Sequence, residues 1–166
     1  FEEDKAASNK MQEIVDKSIT VLKGNEPKIK KNTLIITPVA SVASQAEDVF
    51  DERDITKELQ KHYDNDIIKI TKEEFEGADI LNNIDKYDEC IIITYDPQNY
   101  KKQIELFNEI INKKNTYVIS LKGPIDLKYY DNIKNYMCLY EYTPNSIRSL
   151  IKYLKGEIKA LGELPL

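Results

Sequence analysis

Two aspartates are the strongest candidates for acid and base chemistry in this sequence. Asp96 stands in YDPQNY and Asp126 in KGPIDL, and each follows a run of residues typical of a buried strand. Two carboxylates can hydrolyse glycosides together when they lie about 5–10 Å apart, a separation that sequence spacing does not determine. An Asp beside a Pro or Gly turn is also a good helix cap, so capping is the role that we expect for both residues.

The other reactive residue types are few. His62 is the only histidine, and its place just before a predicted strand puts it on the opposite rim of the sheet from the aspartates, as a surface residue. Cys90 and Cys138 lie within predicted strands, where a free thiol behaves as a small buried apolar group. Two distant cysteines and one histidine do not resemble a metal site. We therefore expect no metal site and no catalytic residue in this chain.

The sequence also lacks the common cofactor motifs. Its five glycines form neither a dinucleotide fingerprint nor a phosphate-binding loop. The first predicted strand ends in Thr-Pro without an acidic pair, which argues against a phosphoacceptor receiver, and the missing phosphate loop argues against a flavin-binding protein. No nucleophile elbow is present. We therefore expect no cofactor.

The order of the predicted elements indicates the fold. Short β-branched or aromatic runs predict buried parallel strands, and segments with helical spacing separate them. The strands are expected at 32–38, 64–70, 88–95, 115–121 and 135–142, and the intervening helices within 47–63, 72–87 and 100–114. This alternation predicts a three-layer α/β/α sandwich with a mostly parallel five-stranded sheet.

In an open parallel sheet, ligands bind at the loops that follow the carboxyl ends of the strands. The polar and turn residues in those loops are therefore the candidate binding residues. They are Thr37, Pro38, Asp96, Gln98, Asn99, Gly123, Pro124, Asp126 and Thr143.

Length and charge limit the class of protein. A chain of 166 residues with a net charge of −5 and interspersed signs is typical of a single domain and has no basic cluster for nucleic acid. No apolar run approaches the roughly 20 residues of a membrane-spanning helix, so we expect no membrane partner. The opening FEEDKAASNK does not resemble a signal peptide, and we expect a fragment of a longer protein from either the cytoplasm or a secreted pool.

The ends of the chain complete the predicted domain. A lead-in helix is expected over 1–24, followed by the α/β core over 32–142. Thr143 and Pro144 predict the start of a last helix over 143–155, which Gly156 ends. The remaining GEIKALGELPL, 156–166, should form a clasp that buries its aliphatic residues against the domain's own helices or a partner domain. Those residues are Ile158, Leu161, Leu164 and Leu166.

The segment YEYTPNSIRSLIKYLKGEIKALGELPL, residues 140–166, resembles the closing segment of the C-terminal domain of glycoside hydrolase family 3. In that family a Tyr-x-Tyr-Thr-Pro strand end leads to a helix and then to Gly-Glu-Ile, Gly and Leu-Pro-Val. VISLKGPIDLKYYDNIKNYMCLYEYTP and IIITYDPQNYKKQIELFNEI resemble earlier strands and turns of that domain, and DKSITVLKG resembles its opening helix. Where the family usually has an Asn-Pro turn, this chain has Lys159, Ala160 and Leu161.

The resemblance implies a flavodoxin-like strand order, 2-1-3-4-5, and an accessory role in a retaining exo-β-N-acetylglucosaminidase. The nucleophilic Asp, and in this branch a His proton donor, belong to an N-terminal catalytic barrel that is not in this chain. The expected partner is that barrel in the same polypeptide, which the candidate loops would face, and carbohydrate would bind only through the full enzyme. Two alternatives stay open: the C-terminal domain of a family 3 β-glucosidase, and an independent sugar-binding or interaction module.

Overall fold

The computed structural model describes residues 2–38, 54–70 and 77–164. Its strands are β1 Thr20–Lys23, β2 Thr33–Thr37, β3 Ile67–Lys69, β4 Glu89–Thr94, β5 Asn115–Ser120 and β6 Asn135–Cys138. Its α-helices are α1 Glu2–Ser18, α2 Ile55–Gln60, α3 Gly77–Asn83, α4 Lys101–Lys113 and α5 Pro144–Leu154. Within the described ranges, 3₁₀ helices span Ile84–Lys86, Pro97–Asn99 and Pro124–Tyr129. Among these described residues, no helix has the length and apolar character needed to cross a membrane.

The strands form a mixed sheet with the order β1-β6-β5-β4-β2-β3. Four neighbouring pairs are parallel, and β1 pairs antiparallel with β6 at one edge. The prediction of five strands in the order 2-1-3-4-5 is wrong for this six-stranded sheet, because it omits the antiparallel edge strand. The difference is confined to that edge, since the neighbours β3-β2-β4-β5-β6 occupy the segments predicted as strands.

The edge strand β1 takes the place of the last part of the helix expected over 1–24. α1 ends at Ser18, and the following β-branched run Ile19–Val21 favours extended backbone. Gly24 then turns the chain in the left-handed region, with φ of 67°, and a Cβ atom there would lie 2.1 Å from the carbonyl oxygen of Lys134. Only glycine fits this approach, which brings β1 beside the start of β6.

The core lies on both faces of the sheet. Successive side chains of β4 point to opposite faces, so Ile91 and Ile93 join one buried cluster and Cys90 and Ile92 the other. Apolar residues of α2 and α5 complete the first cluster, and those of α3 and α4 the second. Helices therefore cover both faces, and all six residues of β4 are buried.

The last helix, α5, begins where the sequence predicted. The Thr143 hydroxyl accepts a hydrogen bond from the backbone N–H of Ser146 at 3.2 Å, and Pro144 occupies the first helical position. α1 packs against α5 through polar contacts, because Asp16 accepts from Ser149 at 2.6 Å and lies 2.7 Å from the Lys152 ammonium. These contacts fix the second half of α1 on the domain.

The C-terminal segment runs back over the end of α1. Gly156 ends α5 with a φ of 77°, and the Gly162 N–H donates to the carbonyl oxygen of Ile19 at 2.9 Å. Ile158 is partly buried against the core. Leu161 and Leu164 are 63% and 43% exposed, so the domain's own helices do not bury these two leucines.

Some predictions fall outside the described residues. The helix expected within 47–63 is described from residue 54 onward, and the helix expected within 72–87 from residue 77. Leu166, the last residue of the expected clasp, also lies outside the described part.

Candidate functional site

The turns after β4 and β5 form a cleft of about 180 Å³ at the carboxyl edge of the sheet. Four predicted site residues, Asp96, Gln98, Gly123 and Asp126, lie together in its lining. Pro97, Ser120, Lys122 and Ile125 complete it. The rule that binding residues collect at strand ends therefore brings distant parts of the sequence to one place.

Asp126 lies at the base of this cleft in a network of hydroxyl groups and is 4% exposed. One carboxylate oxygen accepts from the Thr94 hydroxyl at 2.6 Å, and the other accepts from the Tyr136 hydroxyl. Burial raises the pKa of the Asp126 carboxyl, although the donors Thr94 and Tyr136 act to lower it. Because the chain's own hydroxyls engage both oxygens, the geometry indicates an anchor that fixes the turn to β4 and β6.

Asp96 lies at the mouth of the cleft in the left-handed region, with φ of 46°. Its carboxylate accepts from the Lys122 ammonium at 2.8 and 2.9 Å and from the Gln98 amide at 2.9 Å. The Lys122 ammonium also lies 5.7 Å from the centre of the Tyr95 ring. These contacts link the turn after β4 to the turn after β5.

The prediction that both aspartates cap helices is wrong. Asp96 precedes the 3₁₀ helix Pro97–Asn99 but makes no side-chain cap bond, because Lys122 and Gln98 hold its carboxylate. Asp126 lies inside the 3₁₀ helix Pro124–Tyr129, whose cap position is taken by Gly123.

The remaining predicted site residues lie outside the cleft lining. Thr37 is fully buried, and its hydroxyl lies 2.6 Å from the Thr56 hydroxyl, so it links β2 to α2. Pro38 is also buried, and Thr143 caps α5. Asn99 is exposed at the end of its 3₁₀ helix, and Pro124 begins the next one.

Sequence reasoning missed the residues that hold the two aspartates. Thr94 and Tyr136 lie inside predicted strands and Lys122 lies within KGPIDL, but none of the three is among the predicted site residues. The available signal is positional: Thr94 and Ser120 are the last residues of adjacent strands, and they pair in register. A hydroxyl at the last position of a buried strand is well placed to bind a carboxylate in the next turn.

The opposite edge of the sheet has a different chemistry. His62 is exposed there, in the connection between α2 and β3. A larger cleft of about 270 Å³ at the amino ends of β5 and β6 is lined mostly by lysine and asparagine side chains, including Lys113, Lys114 and Lys134. In the part of the chain that the structure describes, no group of three or more His, Cys, Asp or Glu residues could hold a metal ion.

Both cysteines are free and fully buried, as the sequence predicted. They lie on β4 and β6, which β5 separates. Burial raises the pKa of the Cys90 thiol to about 12 and that of the Cys138 thiol to about 11. Neither thiol has the properties of a nucleophile at neutral pH.

No protein-family model and no curated protein matches the chain. Solved structures do share its fold. A fungal multi-domain family 3 β-N-acetylglucosaminidase superposes with a TM-score of 0.73 at 20% identity, over 97% of this chain and 19% of that one. A family 3 β-N-acetylglucosaminidase from Paenibacillus sp. str. FPU-7 gives 0.71 at 22% identity, over 93% of this chain and 31% of that one. A β-glucoside phosphorylase gives 0.60 at 17% identity, over 92% of this chain and 30% of that one.

The chain thus spans about one fifth to one third of the length of these proteins. The resemblance that its sequence shows is confirmed at the level of the fold: the chain has the fold of one part of glycoside hydrolase family 3 β-N-acetylglucosaminidases.

Proposed function

We propose that this chain is the C-terminal accessory domain of a family 3 exo-β-N-acetylglucosaminidase, joined to an N-terminal catalytic barrel in the same polypeptide. The observation that carries the proposal is the unequal coverage of the superpositions. Nearly all of this chain matches a minor part of two such enzymes. The unmatched part has room for a barrel of about 250 residues.

The chemistry of the cleft supports a role without catalysis by this domain alone. Retaining glycosidases need two carboxyl groups that are free to act as nucleophile and as acid and base. Asp96 is held by Lys122, and Asp126 is bound by Thr94 and Tyr136 beneath the surface. The YEYTP strand end further favours the N-acetylglucosaminidase branch of the family.

The second candidate is the accessory domain of an enzyme that acts on β-glucosides. It is favoured by the β-glucoside phosphorylase that shares this fold. The two candidates differ in the sugar that the full enzyme accepts, which the missing part of the polypeptide would determine.

The test compares the full-length polypeptide with the isolated 166-residue chain on aryl N-acetyl-β-glucosaminide and aryl β-glucoside. We expect the full-length protein to hydrolyse the first substrate and the isolated chain to hydrolyse neither. Turnover by the isolated chain that is lost in Asp96→Asn or Asp126→Asn would overturn the proposal. Preference of the full-length protein for the β-glucoside would select the second candidate, and saturable sugar binding by the isolated chain would select an independent binding module.

A further inference from the structure

Six large apolar side chains are exposed among the described residues. They belong to four separate parts of the sequence: the middle of α1, the turn after β5, the end of β6, and the C-terminal segment. Their exposed fractions are 53% for Met11, 57% for Ile14, 74% for Ile125, 40% for Tyr140, 63% for Leu161 and 43% for Leu164. We refer to these six residues as the apolar surface.

Short contacts connect the parts of the chain that carry this surface. A Cβ atom on Gly123, two residues before Ile125, would lie 4.0 Å from the Tyr140 ring. The Tyr140 hydroxyl lies 3.0 Å from the Thr20 hydroxyl. A Cβ atom on Gly162 would lie 2.2 Å from that same Thr20 oxygen. The turn after β5, the end of β6 and the C-terminal segment therefore meet around Thr20.

The end of α1 lies next to this junction. Gly162 approaches the carbonyl oxygens of Ser18 and Ile19, one turn beyond Ile14. Met11 and Ile14 are three positions apart and share a face of the helix, while Val15 is buried. α1 therefore buries Val15 in the core and leaves Met11 and Ile14 exposed.

An exposed set of this kind is unusual for an isolated domain. Single exposed apolar residues are common, but neighbouring ones mark interaction sites, since contact with a partner removes them from water. The C-terminal segment presents the same feature, because it is held in place by Gly162 while Leu161 and Leu164 face outward. The domain therefore holds these side chains in position without burying them.

We propose that the apolar surface is where the catalytic domain of the same polypeptide docks. This inference rests on the proposed function, in which most of the enzyme lies outside this chain. The superposed enzymes are three to five times longer than their matching part, so a large domain is available to cover the surface. A domain joined before residue 1 would be tethered to α1, next to Met11 and Ile14. Ile125 also lines the cleft of Asp96 and Asp126, so the docked domain would meet that cleft as well.

The first test uses oxidation by peroxide and hydroxyl radicals, with peptide mass spectrometry as the readout. Met11 is exposed and Met137 is 2% exposed, which makes them a matched pair. In the isolated chain, Met11 should oxidise at least about tenfold faster than Met137, because exposure governs the rate. In the full-length polypeptide, Met11, Ile125, Tyr140 and Leu161 should become protected about fivefold or more, while the exposed His62 on the opposite edge should react equally in both proteins.

The second test introduces charge at the surface with Ile14→Asp and Leu161→Asp, and uses His62→Asp as the matched control. In the isolated chain, all three variants should melt within about 2 °C of the parent, because the substituted side chains are exposed. In the full-length polypeptide, Ile14→Asp and Leu161→Asp should leave Met11 unprotected from oxidation. Both variants should also be more sensitive to protease cleavage between the domains. The control should keep both properties.

The outcomes separate the surface from the proposed function. A full-length protein that hydrolyses N-acetylglucosaminide but leaves Met11 as reactive as in the isolated chain would overturn the docking surface and keep the proposed function. A protein without that activity whose apolar surface is protected would support the surface and overturn the function. Dimerisation of the isolated chain with protection of Met11 would show that a second copy is the occupant, and would overturn the proposal.

Discussion

At the scale of single residues, the most consequential feature is a carboxyl group buried among hydroxyls. Asp126 binds Thr94 at the end of β4 and Tyr136 on β6, and so ties one turn to two strands. Its sequence context, GPID, predicts a capping residue, because that prediction depends only on the neighbouring residues in the sequence. The network depends on Tyr136, which lies inside a predicted strand. Sequence periodicity does not indicate that its hydroxyl binds a carboxylate, so the network could not be predicted.

Asp126→Asn should change how stability depends on pH. The folded-state pKa of Asp126 is raised above its ordinary value of 3.8, so between those two pKa values the folded chain binds more protons than the unfolded chain. The contribution of Asp126 to stability is therefore fully present below pH 3.8 and is lost as the pH rises through the folded pKa. The asparagine variant lacks this titration. Urea unfolding from about pH 4 to about pH 7 should show the wild type losing stability relative to Asp126→Asn.

Asp126→Ala is the companion variant, since it removes both hydrogen-bond acceptors. It should lower the free energy of unfolding by about 1–3 kcal/mol, because the Thr94 hydroxyl is left buried without its acceptor. A stability difference between wild type and Asp126→Asn that stays constant with pH would contradict the buried, titrating carboxyl.

The two thiols should react slowly in the folded chain. Cys90 and Cys138 are fully buried with raised pKa values, so little thiolate is present or accessible at neutral pH. An aromatic disulfide reagent should modify both only after denaturation. A His62→Cys variant supplies an exposed thiol as the control and should react at once. Rapid native reaction at Cys90 or Cys138 would mean that β4 or β6 is less well packed than the structure shows.

At the scale of elements, the sequence predicts best where burial decides the structure. The continuous apolar run of β4 and the amphipathic spacing of α4 and α5 each have a single favourable arrangement, on a covered parallel sheet. β1 is four residues long and owes its conformation to pairing with β6, more than 100 positions away, so the helical spacing that continues through Leu22 gives the wrong element. The surface that would bury Leu161 and Leu164 could not be predicted for a related reason, because composition indicates that leucines favour burial but not which surface buries them.

Gly162→Ala should release the C-terminal segment. The added Cβ atom would lie 2.2 Å from the Thr20 hydroxyl oxygen and 2.4 Å from the Ser18 carbonyl oxygen, and one of these is rigid backbone. Overpacking of this kind costs about 1–3 kcal/mol, which corresponds to a fall of roughly 2–10 °C in melting temperature for a chain of this size. Hydrogen exchange over residues 157–164 should accelerate at the same time.

Glu163→Ala is the matched control for this variant, because Glu163 is the exposed neighbour of Gly162. It should leave both the melting temperature and the exchange rates close to those of the parent. Unchanged exchange in Gly162→Ala would show that the segment is not anchored at the end of α1.

At the scale of the whole molecule, the two surfaces of interest are neighbours. Ile125 belongs to the apolar surface and also lines the cleft that contains Asp96 and Lys122. A single partner domain seated on the apolar surface would therefore cover or border the cleft. The amino edge, with His62 and the lysine-lined cleft, lies at the opposite ends of the strands. A partner at the carboxyl edge would therefore leave the amino edge uncovered, and substitutions at the amino edge can serve as controls.

A pair of charge reversals tests this polarity in the full-length polypeptide. Lys122→Glu places a second negative charge beside Asp96 at the cleft, whereas Lys31→Glu makes the same change on an exposed side chain just before β2, at the opposite edge. The Lys122–Asp96 pair lies at the surface, where solvent screens it, so its loss should affect stability little and both variants should fold. If the carboxyl edge faces the catalytic domain, Lys122→Glu should raise KM for aryl N-acetyl-β-glucosaminide by about three- to tenfold, equivalent to roughly 0.7–1.4 kcal/mol of binding, while Lys31→Glu leaves the kinetics unchanged. Equal effects of the two reversals would remove the functional distinction between the edges, because net charge alone would then account for the change.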